Sequence, residues 1–82
     1  MLLELLTPDK KVFSGDVVSV QVPGTQGSFE VLNNHAPIIS TLETGNVKIK
    51  SKEGISTFMI SSGVIEVLKN KVVILAESLI QQ

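Results

Sequence analysis

GVIEVLKNKVVILA, residues 63–76, decides the fold. It holds two apolar-rich runs, Val64–Leu68 and Lys71–Ala76, with only Lys69-Asn70 between them. Two residues suffice for a tight β-hairpin, and Asn tolerates the positive φ that such a turn requires. Nearly the same phrase stands 36 positions earlier as GSFEVLNN, residues 27–34, but there it runs into His35-Ala36-Pro37. Pro37 cannot donate to a sheet ladder and holds Ala36 extended, so the chain turns a corner before resuming at Ile38. The shared phrase is strand-plus-turn chemistry, and the sequel distinguishes the two copies.

Outward from this hairpin the period is two almost everywhere, and apolar residues nowhere recur at helical spacing over about ten residues. Asn46-Val47-Lys48-Ile49-Lys50 places Val47 and Ile49 on one face and the lysines on the other, a strand with one wet side. Asp16–Val22 alternates Val18, Val20, Val22 against Val17, Ser19, Gln21. Leu2–Leu6, Ser28–Leu32, Ile38–Leu42 and Ile55–Ile60 complete the strand-like runs. Turn-forming groups separate them, among them Thr7-Pro8-Asp9-Lys10, Ser14-Gly15-Asp16, Pro23-Gly24-Thr25-Gln26-Gly27 and Lys52-Glu53-Gly54. The expectation is an all-β protein: one domain over residues 1–82, a small two-sheet β-sandwich of about 8–10 short, mostly antiparallel strands.

Composition narrows the function. A chain of 82 residues buries only about 60–65% of its unfolded surface, and with no cysteine it has no disulfide or thiolate metal site to help. Seven basic residues against eight acidic ones, no Trp, no Tyr and three Phe argue against nucleic acid, which asks for a basic face and stacking aromatics. The longest apolar run, Val72–Ala76, is far short of the ~20 residues of a membrane span, and no secretory signal pattern precedes Leu2. An apolar content of 43% with only 18% charged residues points to surface covered in an assembly.

Candidate chemistry is sparse. His35 is the one histidine, and no Cys or second His is available to share a metal with it. No serine stands in a nucleophile-elbow context either, so His35 reads as a corner residue whose ring bonds nearby backbone. Gly24-Thr25-Gln26-Gly27-Ser28 lacks the Lys-Ser/Thr of a phosphate loop and precedes no helix, which leaves a structural bend. Glu30 and Glu66 occupy equivalent places in the repeated phrase, each on the strand face opposite its apolar neighbours. Lys69 at a hairpin tip has the layout of a biotinyl or lipoyl carrier domain. Those families flank the lysine as Met-Lys-Met or Asp-Lys-Ala, however, and here it is Leu68-Lys69-Asn70. No catalytic residue, metal ligand or cofactor is expected.

In order along the chain, Thr7-Pro8, Val12-Phe13-Ser14-Gly15, Val22-Pro23-Gly24-Thr25-Gln26-Gly27 and Phe29-x-Val31-Leu32-x-x-His35-Ala36-Pro37 are followed by Leu42-x-x-Gly45-x-Val47-x-Ile49. Ser62-Gly63-x-x-Glu66-Val67-x-x-Asn70-x-Val72-x-x-Leu75-Ala76 closes the set. In this order and spacing the sequence resembles the N-terminal β-sandwich domain of the epsilon subunit (delta in mitochondria) of rotary F-type ATP synthases. Asn33-Asn34 stands where that family commonly has Pro-Gly, and Ser62-Gly63 where it has Gly-Gly. Many members continue into a C-terminal helical hairpin that restrains ATP hydrolysis and, in some, binds nucleotide. With the sequence stopping at Gln82, neither property is expected of this polypeptide.

The resemblance implies a non-catalytic central-stalk subunit that binds the gamma subunit and rests on the c-ring, helping couple ion-driven rotation to ATP synthesis. It implies a peripheral position on the cytoplasmic face of a bacterial inner membrane, with no direct insertion. By position, Gln26, Gly27 and Ser28 with the neighbouring corner Asn34 and His35 would face the c-ring. Thr7, Ile38, Ile39 and Ser40 would face gamma.

Overall fold

The computed structural model describes residues 1–80, which form nine strands in two sheets with no helix among them. In chain order the strands are β1 (Leu2–Thr7), β2 (Lys10–Asp16), β3 (Ser19–Val22), β4 (Phe29–Leu32), β5 (Ile38–Leu42), β6 (Gly45–Ser51), β7 (Gly54–Ile60), β8 (Gly63–Leu68) and β9 (Lys71–Ala76). One sheet runs β2-β1-β9-β8-β5 and the other β4-β3-β6-β7. Every pairing is antiparallel except β1 with β9, which run parallel from Leu2↔Lys71 to Leu6↔Leu75.

Alternation positions the core. Leu3 and Leu5, Val20 and Val22, Val47 and Ile49, Ile65 and Val67, and Val72 and Ile74 are all buried, two residues apart on their strands. Each such side chain contributes about 1.5–3 kcal/mol by leaving water, the main term holding the layers together. The β8–β9 turn is the tight hairpin expected, with φ 51° at Lys69 and 60° at Asn70. Two adjacent positive φ values make it the primed turn whose twist matches the strands it joins.

Two sequence expectations are corrected. Ser14-Gly15-Asp16 is not a turn but the end of β2, a strand the apolar pattern does not show. The β1–β2 register shifts between Leu5, opposite Phe13, and Leu6, opposite Lys11. Val12 is thus the extra residue of a bulge, which leaves Val12 and Phe13 both half-buried and erases the alternation. Nor is Asp16–Val22 one strand. Val17 N–H donates to Met1 O at 2.8 Å and Val18 N–H to Lys50 O at 2.7 Å, so the chain passes from one sheet to the other between them. That passage buries Val17 and leaves Val18 43% exposed, the reverse of the expected faces.

On the outside of the five-stranded sheet, the Glu4 carboxylate lies 3.2 Å from Lys11 Nζ and 3.5 Å from Lys71 Nζ. The hydrogen bond from Lys11, then the charges of Lys11 and Lys71, hold the Glu4 carboxyl below its ordinary 4.5. A depressed carboxyl contributes stability above its unfolded value and loses it as pH falls through the folded one. Glu4→Gln is therefore expected to lower the melting temperature slightly at neutral pH and to flatten its decline below about pH 4.5, so that the two chains converge in acid. Melting curves of both chains across that range check this, and parallel declines would refute it.

Candidate interaction surfaces

The Pro23–Ser28 loop joins β3 to β4 and is fastened to β5. Thr25 N–H donates to Thr41 O at 3.1 Å, and the two threonine hydroxyls are 2.8 Å apart. Glu43 N–H reaches Pro23 O at 2.8 Å, and Gly27 N–H closes the loop on Gly24 O at 3.0 Å. Glycine is required at position 24, where a Cβ would stand 2.6 Å from Gly27 O and 2.8 Å from the Phe29 ring. The result is a stiff tip on which Gln26, Gly27 and Ser28 are all exposed.

The corner after β4 is built differently. Asn34 takes φ 62°, His35 N–H donates to Leu32 O at 3.2 Å, and the His35 Nδ1–H donates to Ala36 O at 2.7 Å. Asn34 N–H donates to the Asn70 side-chain oxygen at 2.8 Å, tying the ends of the two repeated phrases together. This corner and the Gln26–Ser28 tip lie at opposite ends of β4, separated by four extended residues, or about 13 Å. They do not form the single patch that the sequence suggested.

Of the residues placed toward gamma, Ile39 is 72% exposed on the outer face of β5, while Ile38 and Ser40 are half-buried and turned inward. Thr7 is half-buried, and its hydroxyl donates to Asp9 Oδ1 at 2.8 Å. β9 and β8 lie between Thr7 on β1 and the β5 residues.

The sheets differ on their outer faces. On the five-stranded sheet Leu6 faces Leu75, and Leu75 faces Val64. Val73 lies one row along and Ile39 beyond Glu66. Leu75 and Val64 are 54% and 39% exposed. On the four-stranded sheet the central row is polar, with Glu30 facing Gln21, Gln21 facing Lys48 and Lys48 facing Thr57, and the exposed apolar side chains Leu32 and Ile55 stand on its outermost strands. The signal for the apolar face was in the sequence, in the Val72–Leu75 run that is apolar on both sides of its strand.

Among the described residues no group of three His, Cys, Asp or Glu is placed to hold a metal. The chain is thus an all-β sandwich of two sheets whose outer faces differ along their central rows, with the one imidazole engaged with its own backbone. The chain belongs to the ATP synthase Delta/Epsilon chain β-sandwich domain family, whose model matches residues 1–82.

Among named relatives, the ATP synthase epsilon chain of Maridesulfovibrio salexigens is 44% identical over 77 residues, covering 94% of this chain and 54% of the relative. That of Chlorobaculum tepidum is 42% identical over 76 residues, covering 92% and 86% respectively. The chain thus spans about half the length of the first relative and most of the second. A subunit in the cryo-EM structure of the Euglena gracilis mitochondrial ATP synthase (OSCP/F1/c-ring) superposes with a TM-score of 0.88 at 21% identity, over 95% of this chain and 51% of that one. A chain of the Tetrahymena thermophila mitochondrial ATP synthase central stalk and c-ring gives 0.85, also at 21%, over 98% and 65%. At that identity the solved structures establish the shared fold. Lys69 sits exposed at its hairpin tip as a carrier lysine would, but the family assignment leaves the carrier reading without support.

Proposed function

We propose that the chain is a non-catalytic central-stalk subunit of a rotary F-type ATP synthase, held between gamma and the c-ring and helping to couple ion-driven rotation to ATP synthesis. The observation that carries this reading is the contrast between the two outer faces, in a chain whose relatives are named ATP synthase epsilon chain. The apolar face, with Ile39, Val64 and Leu75 at its surface, suits a gamma contact that continues around β5 through Ile38 and Ser40. The Gln26–Ser28 tip suits the ring. It is exposed, and its backbone bonds to β5 let load pass between the two contacts without the loop folding away. Of the two segments first read as ring-facing, the tip is the proposed contact, because β4 separates it from Asn34 and His35. In this role the subunit sits peripherally on the cytoplasmic face of a bacterial inner membrane.

The test uses the assembled enzyme. Ile39→Asp combined with Leu75→Asp changes exposed positions, so melting should stay within a few degrees of wild type while retention of the subunit on gamma falls about tenfold or more. Ser28→Trp should leave gamma retention intact and lower proton- or sodium-driven ATP synthesis relative to hydrolysis. Full gamma retention by the double variant would defeat the gamma placement, and full coupling in the Ser28→Trp enzyme would defeat the ring placement.

A further inference from the structure

The end of the sandwich opposite the Gln26–Ser28 tip holds a group that the interaction surfaces do not use. The Met1 α-ammonium donates to Asn33 Oδ1 at 2.8 Å, to Asp16 Oδ1 at 3.0 Å and to Val17 O at 3.2 Å. Met1 itself is only 7% exposed, with its side chain in the core. An ammonium has three protons, and each here finds one acceptor. The acceptors come from both layers: Asp16 ends β2 in one sheet, and Asn33 directly follows β4 in the other.

The rest of the first residue is fixed as well. Met1 O accepts from Val17 N–H at 2.8 Å, and Leu2 N–H donates to Asn70 O at 3.2 Å. The Asn70 side chain in turn accepts from Asn34 N–H. Met1, Asn33, Asn34 and Asn70 therefore close a ring of bonds that ties the sheet edge, the hairpin turn and the His35 corner together. This ring gives the repeated phrase a reason to end in asparagine at both copies.

We infer that this pole is a receptor for a free α-ammonium, and that the chemical group on the Met1 nitrogen sets how firmly the His35 corner is held. An acylated nitrogen keeps one N–H and no charge. It leaves two of the three acceptors unfilled, and the acyl carbon has to enter a space the protein already occupies. A formyl or acetyl cap and a preceding residue are equivalent here, since each turns the amine into an amide. The inference concerns the state of that nitrogen, whichever group the chain carries on it.

The test compares the 82-residue chain with a free amine against the same chain acetylated at Met1. The cap is expected to lower the midpoint of thermal unfolding by about 5–10 °C and to speed hydrogen exchange of the Val17 and Asn34 amides about tenfold. In an Asn33→Ala background the free-amine chain should already have lost part of this, and the cap should cost less than half as much. Equal melting of capped and free wild-type chains would overturn the inference, as would an undiminished effect of the cap in the Asn33→Ala background. If the capped chain does not fold, two free-amine variants decide. Asn33→Asp keeps an acceptor for the ammonium and should melt near wild type, whereas Asn33→Ala should melt several degrees lower. Identical melting of the two would show that position 33 does not hold the amine.

Discussion

Gly63→Ala is expected to lower stability by about 3 kcal/mol or more, enough to leave a domain of this size partly unfolded at 37 °C. Gly63 opens β8 and pairs with Ala76 on β9 and Leu42 on β5. A Cβ there would stand 2.4 Å from Leu75 O, 3.1 Å from Ala76 Cα and 3.2 Å from Leu75 C. All three are backbone atoms of the neighbouring strand, so no side chain can swing aside. Relief requires β8 and β9 to part at the end of the hairpin, where Leu42 and Ala76 are buried. At about 4–8 °C per kcal/mol for a domain this small, the melting temperature should fall by more than about 10 °C. Gly15→Ala is the control, because a Cβ at Gly15 meets nothing closer than the Phe13 ring at 3.7 Å. Urea titration of the two variants checks the pair, and similar midpoints would contradict the steric account.

Ile74→Ala is expected to cost about 2–5 kcal/mol, and its neighbour Leu75→Ala less than about 1. Ile74 lies mid-strand on β9, opposite Leu5 on one side and Ile65 on the other, and all three are fully buried. Truncating it opens a cavity in the middle of the five-stranded sheet, which ladders on both sides keep from collapsing. Leu75 points the other way and is 54% exposed. Adjacent residues of the same apolar class thus differ several-fold in their effect, which thermal or urea unfolding of the two alanine variants measures. At the gamma contact proposed above the order of importance should reverse, because Leu75 rather than Ile74 has its side chain on the outer face.

How much of this was legible in the sequence depends on the range of the signal. The β8–β9 hairpin was, because Lys69-Asn70 and the runs around it carry their own turn chemistry and alternation. So was the exposure of Glu30 and Glu66. β2 was not, because the bulge at Val12 breaks the period from which a strand is recognised. The faces of Val17 and Val18 were misread for a related reason: alternation holds along one strand and fails where the chain changes sheets. The corner and the Gly-rich loop looked like neighbours because few residues separate Ser28 from Asn34. The four extended residues of β4 alone hold them about 13 Å apart. Nothing local announces that Met1 meets Asn33 or that β1 lies beside β9, since those contacts join the beginning of the chain to its middle and end.

The parallel pairing of β1 with β9 has a consequence for how the molecule is made. The ninth strand, made about seventy residues after the first, lies in the middle of its sheet, between β1 and β8. Until it leaves the ribosome, the β1–β2 hairpin and the β5–β8 pair have no ladder between them, and their apolar inner faces wait in water or on a chaperone. Closing the sheet therefore joins segments about seventy residues apart in a single late step, the kind of long-range closure that makes folding slow. A ribosome stalled before residue 71 should hold a chain that proteases still cut throughout, and emergence of β9 should make the nine strands resistant all at once.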